Sequence, residues 1–423
     1  MSQRKHAGLG DGCANPLGSS RSGAHARKVV LSHWTALWYY RLSNIGLLPL
    51  PYECDDCGFD DATANLDYLT DKDRSLLSIS TADYAARYIY VADDVRKAYR
   101  GLDPARRIEA ISVATGSPYR IPLADKLDVL VGGKARRLAG EGVRAHRQSS
   151  PLPEGSIRRI GSSLYIVSPE LMFVQVSSLL KEPHLVAALA TELAGTYALL
   201  PSGMVRCEEA LLRGEEVLDA KGYLKGDGYC DALPLTTCDD LRRYVADVEH
   251  VHGSNLATKG LRASVDHSAS PFETAIDVSH ALSRSWGGAG CGVPEATKDV
   301  PLNDEGQRIA GKGKVIADAL FTSKHGHRID VEPGGKAWHS GKDAMVSDND
   351  RRLALERQRI EVIVVPWKTF KDPHAWRHVC GRVACHLGKN FHVPTNAMLQ
   401  RWKLVHEDFC DTNLLKRLPR GRR

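Results

Sequence analysis

The sequence predicts an α/β protein with more than one domain, and three observations carry that expectation. Short apolar runs bounded by Gly and Pro alternate with longer stretches of helical periodicity. A chain of 423 residues exceeds what one ordinary core organises. A hydrophobic content of 43% with 26% charged residues is that of a soluble globular chain. No apolar run approaches the roughly 18 residues needed to span a bilayer, so a membrane protein is not expected. Residues 1–28 are Gly/Ser-rich and basic without an apolar core, which excludes a secretory signal and reads as a flexible leader. A cytoplasmic setting follows as the expectation.

Residues 29–41, VVLSHWTALWYYR, predict a short strand and then a helix with Ser32 near its N-cap. Residues 49–65, with Pro49, Pro51 and the acidic CDDCGFDDAT, predict a loop. Residues 81–100 predict a helix, because Tyr84, Tyr88 and Val91 recur at helical spacing. From 109 to 168 the pattern turns to β, in the runs IEAISV, LDVLVGG, GVRAHR and IRRIGSSLYIV. Ser168-Pro169 then sets an N-cap and a first-turn proline for a long apolar helical stretch running to Leu200, broken at Pro183. Residues 206–238 predict connecting chain and 239–251 a further helix.

Of the 10 cysteines, only Cys54 and Cys57 have metal-like spacing. No second pair lies near them, and a structural zinc site takes about four ligands, so reduced thiols are expected. Ser270-Pro271-Phe272-Glu273 opens another helix with capping-box spacing, in which Glu273 would bond the backbone at position 270. The glycine cluster at 287–292 ends that helix. No strand leads into it and no GK[ST] follows, so it is not a phosphate loop.

The segment from 315 to 367 carries the chemistry. VIADAL predicts a strand holding Asp318, and RIDVE a second strand ending in Glu332. A polar turn, Lys324-His325-Gly326-His327, joins them, and after a charged helix near 347–358 IEVIVVPW gives a third strand. Acids on adjacent strands can converge at one sheet edge, and converging carboxylates hold Mg²⁺ or Mn²⁺. That chemistry suits metal-assisted phosphodiester cleavage. Asp330, in phase with Glu332, equally fits an exposed strand acid. Residues 301–423 carry 23 Lys/Arg against 14 Asp/Glu, and five of these bases lie in the tail after Leu415. A basic surface beside carboxylates suits a polyanion such as DNA, and a solvated basic tail is the plainer alternative.

The order helix, strand, strand, helix, strand, with acids on the middle strands, resembles the PD-(D/E)XK nucleases. Their very-short-patch-repair-like branch is the closer likeness. It covers about 110 residues, carried by Asp318, Glu332, His339 in Lys336-Ala-Trp338-His339, the run Asp350-Arg351-Arg352-Leu-Ala-Leu355, and VIVVPW. It implies a restriction-endonuclease-like αββαβ core over residues 265–415, with Asp318 and Glu332 as metal ligands and the Pro333 carbonyl as a third. Lys336 or His339 would act as general base or phosphate clamp, and Arg351, Arg352 and Lys336 would meet phosphates. Glu273 would complete the site from the first helix. One position departs from the family: Gly334 stands where those proteins carry Asp. Taken alone, Arg351 and Arg352 also fit a solvated helix face with pairs at i, i+4.

Residues 127–180 are similar in pattern to AbiE-type abortive-infection antitoxins and regulators, through strand, turn, strand, Ser-Pro and helix. That family adds an N-terminal DNA-binding winged helix, for which Ser32 to Arg41 is the nearest candidate here. The resemblances together imply an antitoxin-like region over 29–250, a nuclease-like domain over 265–415 and a basic tail at 416–423. The implied activity is a metal-dependent DNA endonuclease in defence or mobile-element biology, with a cognate toxin as a further partner. The alternative is a DNA-binding regulator that keeps the nuclease fold without cleavage.

Overall fold

Val29–Leu31 consists of three buried apolar residues and forms β1, the middle strand of a five-stranded sheet. The structure, a computed structural model, describes residues 27–53, 61–80, 88–90, 120–124, 126–132, 142–200, 204–206, 228–334, 342–391, 394–411 and 415–416. The fold is α/β, built on this sheet, a four-stranded sheet in the C-terminal half and three two-stranded pairs.

In the first sheet, β1 is flanked by β5 (Leu127–Gly132), antiparallel, and β8 (Leu164–Val167), parallel; β6 (Val143–Gln148) and β7 (Ile157–Arg159) lie at the two edges. β5 is buried at all positions, as expected of a central strand covered on both faces. The helix His33–Asn44 follows β1 with Ser32 as N-cap, as expected, although the Ser32 side chain makes no cap bond. Its side chains are buried from His33 to Ser43, which leaves no face to enter a DNA groove. The winged-helix candidate at Ser32 to Arg41 is therefore a core helix.

Pro169–Leu180 and Pro183–Leu193 form two apolar helices with the break expected at Pro183. Ser168 accepts the Leu171 N–H and Lys181 takes a left-handed conformation at the break. Two expectations are corrected. Tyr88–Tyr90 is a strand (β3) paired with β10 (Met204–Arg206), not part of a helix. Tyr197–Leu199 is also a strand (β9), paired with β11 (Tyr229–Asp231), where a helix was expected to run on. Both are short aromatic-bearing segments, whose choice between strand and helix is made by pairing partners rather than local periodicity. β2 (Ser78–Ser80) and β4 (Arg120–Pro122) make the remaining pair.

The second sheet runs β12 (Glu295–Pro301), β13 (Lys314–Thr322), β14 (Arg328–Gly334), β15 (Ile360–Pro366). β12/β13 and β13/β14 are antiparallel and β14/β15 parallel. The three strands read from sequence are present. β12 is an addition, a charged and mostly exposed edge strand with no apolar alternation to announce it. One sheet face meets the Lys342–Arg357 helix through a small core of Val315, Ala317, Leu320, Ala354, Leu355 and Ile360. The other meets the Pro271–Ala281 and Pro373–His386 helices through Phe321, Ile329, Val331, Ile363 and Val365.

This second core is continuous with that of the N-terminal half. Arg41, buried in the N-terminal half, donates to the Leu415 carbonyl at 2.8 Å, and His184 meets Asp408 at 2.8 Å. Among the described residues, no helix is long and apolar enough to cross a membrane.

Candidate functional site

β14 alternates Ile329 and Val331 into the larger core with Asp330 and Glu332 on the opposite face, the period of two that any strand imposes. The β13/β14 ladder pairs Leu320 with Asp330, and the same register carried two residues further brings Asp318 opposite Glu332. The ladder opens at that end. The Ala319 N–H donates to Asp330 Oδ1 at 3.0 Å, a side chain standing in for a strand acceptor.

Asp318 and Glu332 converge on a single cation. Arg351, on the Lys342–Arg357 helix, sets Nη2 at 2.9 Å from Glu332 Oε2 and Nη1 at 3.5 Å from Asp318 Oδ1. Nη1 also donates to the Ile316 carbonyl at 2.9 Å. Both carboxylates are mostly buried and the guanidinium is partly exposed, so the cluster reaches solvent at one rim of the sheet. Arg351 was expected as a phosphate contact; in this structure its fork faces the acids. Arg352 turns outward to Asn349 Oδ1 at 3.3 Å and Glu356 at 3.8 Å, the i, i+4 pairing of a solvated helix face.

Glu273 caps its own helix. Its Oε1 accepts from the Ser270 hydroxyl at 3.0 Å and its Oε2 from the Ala269 N–H at 2.8 Å, so the backbone partner is residue 269 rather than 270. Lys336 and His339, together with the Cys54–Cys57 pair, lie outside the described residues.

Two acids missed as site residues stand behind this rim. Asp330 is 0% exposed, not the surface strand acid its phase also allowed. Burial, then the charges of Glu332 and Asp318, hold its carboxyl well above the usual range. Asp277, one helical turn beyond Glu273, is equally buried. Burial first, then Glu273, raises it, while the Ser268 hydroxyl pulls the other way. The signal for Asp277 was its i, i+4 spacing from Glu273, which puts two acids on one helix face.

Among the described residues, no three or more His, Cys, Asp or Glu side chains are arranged to hold one metal ion together. Mg²⁺ is commonly held by one or two carboxylates, with waters and substrate phosphates completing its shell. Asp318 and Glu332 are donors of that kind, and each carboxylate lies beside a different nitrogen of the Arg351 guanidinium. Gly334 supplies no third carboxylate. A Cβ built there would lie 3.0 Å from Val364 Cγ1 and 3.1 Å from Pro366 Cα, so the β14/β15 pair is closed over this position.

A second polar cluster occupies the N-terminal sheet. The His33 and His146 rings stack at 3.6 Å, His33 Nδ1 meets Ser32 Oγ at 3.0 Å, and Asp128 Oδ1 accepts from His146 Nε2 at 2.8 Å and Arg144 at 3.1 Å. His33 holds a left-handed backbone at φ 49°, and burial, then the charge of His146, lowers its imidazole well below the ordinary value. Comparison with family models, with curated proteins and with solved structures finds no significant match for this chain.

Proposed function

We propose that the C-terminal half is a divalent-metal-dependent DNA endonuclease, with Mg²⁺ or Mn²⁺ held by Asp318 and Glu332. The observation that carries this reading is the meeting of these two side chains, from adjacent antiparallel strands, at one guanidinium on a solvent-reaching rim. The basic excess of the C-terminal segment adds support, because phosphates must be drawn past the acids. A bound ion supplies a Lewis acid for the phosphoryl oxygen and makes its bound water more acidic. Asp318 and Glu332 would bind and orient it, with Asp330 and Asp277 buried behind them. Glu273 fixes the helix that carries Asp277. In this reading Lys336 or His339 acts as general base or phosphate clamp, and the setting is bacterial defence or mobile-element biology in the cytoplasm, with a toxin as partner of the N-terminal half.

The test is nicking of supercoiled plasmid by the full chain with Mg²⁺, compared with Asp318→Ala and Glu332→Ala. The expected result is cleavage that needs the ion and is lost in both variants. Cleavage that survives both substitutions sinks the assignment. A second reading, a DNA-binding regulator without cleavage, is favoured by the missing carboxylate at Gly334 and by Arg351 lying across both acids. It predicts DNA binding that weakens as salt rises, with no nicking under any metal.

A further inference from the structure

We propose that Arg351 is the resident counter-ion of this site, and that a divalent ion binds only by displacing it. The inference rests on the metal reading above and adds a residue whose role there is competition rather than catalysis. Its fork takes three acceptors at once: the Ile316 carbonyl and Asp318 Oδ1 through Nη1, and Glu332 Oε2 through Nη2. A backbone carbonyl and two carboxylates on two strands are thereby tied to one helix.

A Mg²⁺ ion needs carboxylate oxygens at about 2.0–2.1 Å. An ion placed on Glu332 Oε2 would sit within a few ångströms of a full positive charge at a poorly solvated rim, where like charges repel. The two cations therefore exclude one another at the same oxygens. Displacement requires only a side-chain swing, because Ala354 and Leu355 keep the helix seated in its own core. Arg352, its neighbour, already points away and makes a charge-matched control.

The experiment is Mn²⁺ titration of the full chain near pH 7, following free Mn²⁺ by electron paramagnetic resonance. Wild type is compared with R351M, R351K, R352M and the double variant D318N/R351M. R351M is expected to bind about tenfold tighter than wild type, the scale of one lost ionic repulsion at a site that still reaches solvent at one rim. R351K keeps the charge but cannot bridge both carboxylates, and falls between. R352M changes affinity by about twofold or less, since an exposed charge is screened. D318N/R351M loses the gain, which ties the ion to this rim.

A residue that merely holds the helix in place would weaken binding when removed, so the direction of the change separates the two roles. R351M binding no tighter than R352M overturns the competition while leaving the metal site standing, and R351K, the gentler change, guards against misfolding. D318N/R351M binding as tightly as R351M also overturns it, because the ion then sits elsewhere. Absence of Mn²⁺ binding in every variant overturns both the competition and the metal reading beneath it.

Discussion

Replacing Glu192 by Ala is expected to cost about 3–5 kcal/mol of stability, the usual range when one partner of a buried ion pair is removed. The pair is dry: the Arg41 and Glu192 side chains are 1% and 3% exposed. Arg41 meets Glu192 bidentately, with Nε to Oε1 at 2.7 Å and Nη2 to Oε2 at 2.5 Å. After truncation the guanidinium keeps the Leu415 carbonyl and the face of Trp38, neither of which carries a compensating charge. The Leu199 N–H also loses its acceptor, Glu192 Oε1 at 3.2 Å. Its cost overlaps the first and is not added to it. Against a total stability of about 5–15 kcal/mol the loss is large. Urea unfolding followed by circular dichroism reads it as a midpoint lowered by about 1 M. A double variant, Arg41→Met with Glu192→Leu, is expected to regain most of the loss, since no lone charge then remains buried. An unchanged midpoint in Glu192→Ala would refute the claim that this pair is locked in the shared core.

Two further outcomes are expected. His280 is buried against Phe321 and Trp376, with Nδ1 donating to the Ile276 carbonyl at 2.8 Å, and burial lowers its pKa from 6.5 to about 4. The unfolded chain therefore binds the extra proton first, and stability falls by up to about 3 kcal/mol as pH drops from about 6.5 through about 4. His280→Leu removes that part of the acid sensitivity, and an identical pH slope in denaturation of the two proteins rules the account out. Gly334→Asp, which restores the carboxylate of the resembling family, forces a Cβ against the Pro366 backbone at 3.1 Å. A loss of about 1–3 kcal/mol in urea unfolding is expected from overpacking, and a variant as stable as wild type contradicts the closed β14/β15 geometry.

The strands of the C-terminal sheet were legible wherever an apolar run was bounded by turn residues, as in VIADAL, RIDVE and IEVIVV. The edge strand β12 was not, because Glu295-Ala-Thr-Lys-Asp spends its side chains on solvent and only its backbone pairs inward. Capping was legible at Ser168, and at Ser270 with Glu273, where the chemistry is local and spacing alone decides it. Tyr88–Tyr90 and Tyr197–Leu199 were misread because each takes its strand form from a partner far along the chain.

The acids separate along the same line. Asp318 and Glu332 stood out as carboxylates on apolar strands, but nothing local told which cation would face them. That depends on Arg351 arriving from a helix whose sequence reads equally well as a solvated surface. The neighbouring pair makes the physical distinction plain. Arg351 and Arg352 differ by one step around the helix, about 100°. One consequently closes over two buried carboxylates, while the other pairs with Asn349 and Glu356 at the surface. Asp277 and Asp330 follow from the same logic. Asp330 lies in phase with Glu332 and Asp277 with Glu273, yet burial raises the pKa of each. Two of the five carboxylates in this region are thereby disfavoured as anions. The two acids nearest the guanidinium, Asp318 and Glu332, are the ones for which Arg351 and a divalent ion would compete in the proposed exchange.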